Sequence, residues 1–217
     1  CHYPVEYLSA LLSSVADRKD QTQLYIEEAQ KFGIKVLPPD VNKSYLEYSP
    51  DGNDIRFGMA AIKGVGENVV NAIIEEREKN GDYKNIFDFA KRLDPKFVNK
   101  KSLEGLIKAG AFSQIEKSRK QLLDNLDHII SSSAKVAKEK AMGQVSLFAS
   151  AGGEDFESVQ FQLGGSDEEY PDKIIQQFEK EFLGFYVTSH PLFSIRQNLP
   201  FLRTHAISAL KDMPDFD

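Results

Sequence analysis

The chain has 217 residues, 41% hydrophobic and 28% charged, with a formal net charge of −6; this suits one modest core or two small ones, in two or three lobes, and argues against indiscriminate nucleic-acid binding. No apolar stretch approaches bilayer length, and the first residues lack a basic region followed by an apolar core, so a cytoplasmic chain without membrane contact is expected. Cys1 is the single cysteine, which excludes an internal disulfide and a thiolate metal cage, and its terminal position suggests a cut from a longer chain.

Pro4 to Ala16 sets Val5, Leu8, Leu11, Leu12 and Val15 at helical spacing, with proline where a first turn tolerates it. A second helix is expected from Asp20, with Gln23 in the capping-box position, through Leu24, Tyr25, Ala29 and Phe32 to a stop at Gly33. Ile34 to Leu37 reads as a strand ended by Pro38-Pro39. Tyr45 to Tyr48 and Ile55 to Phe57 read as two more, around a turn at Ser49-Pro50-Asp51-Gly52. Phe57 to Ile62 suits either a short helix or an extended run.

Two glycines one residue apart, Gly64 and Gly66, then open an amphipathic helix from Glu67 to Lys79. Val69, Val70, Ile73 and Ile74 form its apolar face, Glu75, Glu76, Glu78 and Lys79 its solvated one, and Gly81 ends it. Both glycines are expected to take positive φ and let the main chain lie close against a ligand. A helix N-terminus with unpaired N–H groups and a positive dipole end suits an anion, and contacts of that kind position a nucleic-acid backbone without reading its bases. A dinucleotide fingerprint also starts with G-x-G, but position 69 is valine where that motif needs its third glycine, so a helix-hairpin-helix is the preferred reading.

A short helix is expected over Ile86 to Leu93, with a turn at Asp94-Pro95. Asn99 can cap the next helix, Lys100 to Ala109, which carries Leu103, Leu106 and Ile107 on its core face and ends at Gly110. The two helix starts at Gly66 and Asn99 lie 33 residues apart and resemble a degenerate duplication whose second copy lacks the glycines. Ser118, with Gln121 three residues on, opens one long helix whose Leu122, Leu126, Ile129, Ser133 and Val136 trace a stripe to about Lys140. The lysines at its end serve equally as dipole partners or as nucleic-acid contacts. Residues 143 to 170 are glycine-rich and acidic and read as a flexible linker. A last helix, Pro171 to Phe182, has Ile174, Ile175, Phe178 and Phe182 as its core face and stops at Gly184.

The charge is unevenly spread. Residues 59 to 143 carry 16 basic against 12 acidic side chains, whereas residues 1 to 58 are net −3 and residues 144 to 217 net −7. The basic excess coincides with the glycine hairpin, which supports modest, salt-sensitive backbone contact. A solvated helical surface is the alternative.

Several stretches together resemble a C-terminal part of the alpha subunit of bacterial replicative DNA polymerase III (family C): Tyr3-Pro4-Val5-Glu6-Tyr7, Val36-Leu37-Pro38-Pro39-Asp40-Val41-Asn42, Ile62-Lys63-Gly64-Val65-Gly66, Leu106-Ile107-Lys108-Ala109-Gly110-Ala111-Phe112 and Phe182-Leu183-Gly184-Phe185-Tyr186. The resemblance implies the end of the fingers region over 1–58 and a tandem helix-hairpin-helix domain touching duplex DNA over 59–142. Beyond these it implies a linker over 143–170, then a helix and lead-in to a missing OB domain over 171–217. It also implies a sliding-clamp-binding peptide after the hairpin domain, and Gln144-Val145-Ser146-Leu147-Phe148 resembles that pattern, with Val145 as its one departure. Leu147 and Phe148 suit an apolar pocket and Gln144 an oriented hydrogen bond. Further implied partners are the other replicase subunits.

No catalytic or metal site is expected within the chain. Polymerase carboxylates hold two metal ions, magnesium in the parent enzyme, on a rigid sheet. Pro214-Asp215-Phe216-Asp217 imitates their signature only at a chain end. His2, His128, His190 and His205 lack zinc-site spacing, and Ser189-His190 precedes a proline in what reads as a loop. A DNA glycosylase is a different reading of the same hairpin, with Lys84, Asp88 and Lys101 as nominal catalytic candidates, and a helical adaptor binding only proteins is a third. The expected fold is therefore mainly α with a small β element (α+β). It is read as a non-catalytic fragment that grips duplex backbone through Lys63, Gly64, Val65 and Gly66, more weakly through Lys100 and Lys101, and reaches the clamp through residues 144–148.

Overall fold

Leu8 and Leu12 point the first helix, α1 (Pro4–Ser14), at the second, α2 (Lys19–Lys31). The computed structural model describes residues 2–141 and 162–187. Helix α2 begins at Lys19, one residue early, with Arg18 at its N-cap, and the Asp20 capping box does not form; Gln23 bonds Glu27 instead. Its buried face is Thr22, Ile26 and Ala29, and the Thr22 hydroxyl donates to the Val15 carbonyl at 2.9 Å. Leu24 and Phe32 lie on the outer side, 62% and 66% exposed.

Three short strands follow: β1 (Val36–Leu37), β2 (Ser49–Asp51) and β3 (Asp54–Arg56), in the order β1-β3-β2. Val36 pairs with Ile55 in parallel and Pro50 with Ile55 in antiparallel. The expected strand over Tyr45 to Tyr48 is absent. The Tyr45 and Leu46 carbonyls instead accept from the Met59 and Ala60 amides of a 3-10 turn, Met59–Ala61. Tyr48 is buried edge-on against Phe57, so the hairpin bends later than expected, after Asp51. Proline is tolerated in β2 because that strand is an edge.

Helix α3 (Glu67–Asn80) buries Val69, Val70, Ile73 and also Arg77, which donates to the Val41 carbonyl at 3.0 Å and lies over the Tyr45 ring. Asn85 caps α4 (Ile86–Arg92) by accepting from the Asp88 amide, and Asn99 caps α5 (Lys100–Ala109) by accepting from the Ser102 amide, as its position predicts. Gly110 ends α5 at φ +82°. Tyr83, Phe89 and Phe112 stack edge to face between these helices.

The expected long helix is two: α6 (Arg119–Asp124), capped by Ser118, and α7 (Leu126–Ala141). Asn125 interrupts it because its side chain exchanges hydrogen bonds of 3.0 Å with the Gly164 amide and carbonyl. Residues 162–170, expected to be a flexible linker, thus lie against α6. Glu169 accepts from the Arg119 amide, and Ser118 donates to the Glu168 carbonyl. Helix α8 (Asp172–Phe182) packs on α5, and the chain after it sends Leu183 and Phe185 into one contiguous core with Phe57, Met59, Ile62, Ile73, Leu103 and Ile129.

Candidate nucleic-acid interface

The first hairpin is a turn over Ile62 to Val65, closed by the Val65 amide donating to the Ile62 carbonyl at 3.1 Å. Ile62 and Val65 are buried, so the turn is anchored at both ends and presents Lys63 and Gly64 between them. Gly64 sits third in the turn at φ +87°, the position where a type II turn requires positive φ. The sequence-based expectation of a second positive-φ glycine is wrong: Gly66 has φ −86° and ψ 152°, ordinary extended backbone for the residue preceding α3. A Cβ at Gly66 would meet nothing within 4 Å. The Glu67 and Asn68 amides stand at the open end of α3, where a helix has no partners of its own, and the Glu67 carboxylate shares that first turn.

Helix α5 supports this turn from below. A Cβ at Gly105 would lie 2.8 Å from the Lys63 carbonyl oxygen and 3.2 Å from Val65 Cγ2, so only glycine allows the turn to rest so closely on α5. One helical turn earlier, Lys101 runs its side chain against Gly64, with Cγ 3.5 Å from where a Cβ would be. Lys101 therefore joins the first hairpin, although the sequence assigns it to the second. Lys100 diverges from it and pairs with Asp127 on α7 at 3.2 Å. Both facts follow from helical geometry, which sets neighbouring side chains about 100° apart.

The second hairpin repeats the first at an offset of 33 residues. The Val98 amide donates to the Pro95 carbonyl at 3.2 Å, as Val65 does to Ile62, and Asn99 stands where Gly66 does. Lys96 then occupies the place of Lys63. It pairs with Asp94 at 3.1 Å and lies 4.7 Å over the Phe97 ring. Phe97, in the place of Gly64, does not take positive φ, so the two turns share their closing bond and not their full conformation. Sequence reasoning missed Lys96, although the 33-residue spacing, carried back from the helix starts to the turns, points to it.

Lys63 is engaged by α8. Its Nζ pairs with Glu181 at 2.8 Å, its amide donates to the Phe182 carbonyl at 3.0 Å, and its ammonium is 5.7 Å from the Phe182 ring centre. The hydrogen bond from Lys63 holds the Glu181 carboxyl below the usual carboxylate range.

Of the nominal glycosylase candidates, Lys101 lies against Gly64 in the first hairpin, whereas Lys84 and Asp88 meet at the start of α4. Asp88 accepts from the Lys84 amide at 3.1 Å and from Arg92 at 3.2 Å, and all three residues line an open polar hollow. Arg92 also bonds Glu76 and the Gly81 carbonyl while stacked on Tyr83, so this acid orders a guanidinium. Among the described residues no group of three or more His, Cys, Asp or Glu is close enough to hold a metal ion, and no helix is long and apolar enough to cross a membrane. Gln144, Val145, Ser146, Leu147 and Phe148 lie outside the described residues, as do Cys1, Ser189, His190, His205 and Pro214 to Asp217.

A helix-hairpin-helix motif model matches residues 33–122. DNA polymerase III subunit alpha of Borreliella burgdorferi is 41% identical over 191 residues, covering 88% of this chain and 17% of that protein. The subunit of Thermus aquaticus is 39% identical over 215 residues, 99% of this chain and 17% of its own length. That of Mycobacterium tuberculosis H37Rv is 38% identical over 212 residues, 97% and 18% respectively. The chain thus spans about a sixth of the length of the curated relatives it matches.

Proposed function

We propose that this chain, homologous over nearly its whole length to one segment of DNA polymerase III alpha subunits, is the non-catalytic part of a replicative DNA polymerase that holds primer-template duplex by its backbone. The observation that carries this reading is the pair of hairpins with the same closing bond 33 residues apart, the first of which gathers Lys63, Gly64 and Lys101 on one surface with the open N-terminus of α3. The open amides and dipole end of α3 and the lysines each attract a phosphate, and none distinguishes one base from another. Nucleotidyl transfer, with its magnesium ions, is assigned to carboxylates outside this segment.

Binding of a fluorescent duplex of about 20 base pairs tests the reading. Each phosphate neutralised lowers the slope of log K against log salt by about 0.9. Lys63→Ala, Lys101→Ala and Lys96→Ala should each weaken two unrelated duplex sequences equally and flatten that slope by about one unit. Folded variants with unchanged affinity, or with effects confined to one sequence, refute it.

The same reading gives residues 144–148 a tethering role: the peptide Gln144-Val145-Ser146-Leu147-Phe148 docks in an apolar pocket on a sliding clamp, which raises the effective concentration of the hairpins at duplex without adding a contact to it. What supports it is the pentapeptide itself, which follows the hairpin region closely in the chain. Anisotropy against a bacterial sliding clamp should show binding that Gln144→Ala weakens and Leu147→Ala with Phe148→Ala abolishes. Binding that survives the double change refutes the peptide's role.

A further inference from the structure

We propose that the end of α8 regulates the first hairpin: Glu181 holds Lys63 as an internal stand-in for a phosphate, which duplex DNA must displace to engage that lysine. This rests on the backbone-binding reading above. The geometry carries it. A carboxylate oxygen 2.8 Å from Lys63 Nζ occupies the position and charge that a phosphate oxygen would take. The Phe182 carbonyl, one residue on, takes the Lys63 amide at 3.0 Å, so α8 presents an acceptor to both the side chain and the main chain of the turn.

Other residues anchor the helix. Glu179 is buried opposite Arg119 and accepts from the Val187 amide at 2.8 Å, Phe178 and Phe182 flank Lys108, and Leu183 and Phe185 are in the core. Glu181 contributes nothing to that core: its side chain is 52% exposed, and that of Lys63 is 59% exposed. A pair in water is weak enough for a polyanion to exchange. The contact therefore tunes affinity and does not abolish it. It also differs from the second hairpin, where the partner of Lys96 is the local Asp94, two residues away. Only at the first hairpin does occupancy of the lysine report on whether a segment 118 residues distant is docked.

The test is duplex affinity of the 217-residue chain and of Glu181→Gln, Lys63→Ala and the double variant, measured at about 50 and 200 mM salt with circular dichroism matched. Glu181→Gln should bind about two- to five-fold tighter, the range an exposed pair can supply, with a steeper salt slope. In the Lys63→Ala background the same change should do nothing. Equal tightening with and without Lys63 would make Glu181 a general repulsive charge and overturn the proposal. So would unchanged affinity in Glu181→Gln when Lys63→Ala weakens binding. If Lys63→Ala itself has no effect, the backbone-binding reading of that hairpin fails first, and the inference falls with it.

Discussion

Replacing Gly105 by alanine tests the contact on which the first hairpin depends. In a free helix the change is favourable, by about 1 kcal/mol. Here the new Cβ would lie 2.8 Å from the Lys63 carbonyl oxygen and 3.2 Å from Val65 Cγ2. The valine can adjust its rotamer, whereas the carbonyl belongs to the main chain of a turn whose two ends are buried, so the turn itself must move. Overpacking of this kind costs about 1–3 kcal/mol. Against the propensity gain, Gly105→Ala should be destabilising by about 1 kcal/mol, read as a lower urea midpoint at unchanged m-value. Duplex affinity should fall as well, since Lys63 and Gly64 ride on the displaced turn. A variant stabilised by about 1 kcal/mol with intact binding would mean that the turn does not rest on α5, and would refute the reasoning.

Asn99→Ala removes the acceptor for the Ser102 amide and should cost about 1 kcal/mol, while Asn99→Asp keeps the cap and should weaken duplex binding by charge; thermal melts and anisotropy separate the two, and a neutral Asn99→Ala would discount the cap. Burial raises the phenol pKa of Tyr48 and Tyr83 well above its ordinary 10.0, more than the Arg92 guanidinium beside Tyr83 lowers it. The unfolded chain then ionises first as pH rises past 10, so stability is level through neutrality and declines above that point, and Tyr83→Phe should flatten the decline while losing about 1 kcal/mol at pH 7 with the hydrogen bond to the Ile73 carbonyl. An unchanged alkaline slope in urea midpoints from pH 8 to 11 counts against the buried phenol. Burial also raises the Glu116 carboxyl, which the Ile86 amide partly opposes, so its charged form costs stability as pH climbs from 4.5 through the raised value. Glu116→Gln keeps an oxygen for Ile86 and should erase that acid-range dependence without loss at pH 7; a clear loss there shows that the charge itself is needed.

What local chemistry decides could be read from the residues. Asn99 and Gly110 bracket α5 because a side-chain acceptor and a left-handed glycine act within one turn of the chain, and Ser118 opens α6 for the same reason. The glycine turn at Gly64 and the 33-residue spacing of the helix starts at Gly66 and Asn99 are equally local, and Ile62 to Gly66 is one of the stretches that carry the family resemblance. The side of α2 that is buried was not, because Leu24 and Ile26 are equally apolar and only packing against α1 selects Ile26. Nor was the break at Asn125, which answers to Gly164, 39 residues away. Nor was the burial of Arg77, which donates to the Val41 carbonyl 36 residues away. The composition of the candidate site belongs to the same class: Lys101 meets Gly64, Gly105 admits the turn, and Glu181 takes Lys63 only when separate helices are brought together. The caps at Asn99 and Ser118 and the turn at Gly64 act through neighbouring bonds and are written along the chain. Which polar groups face one another depends on how helices dock, and that is set by the shared core, where many distant side chains must close-pack at once.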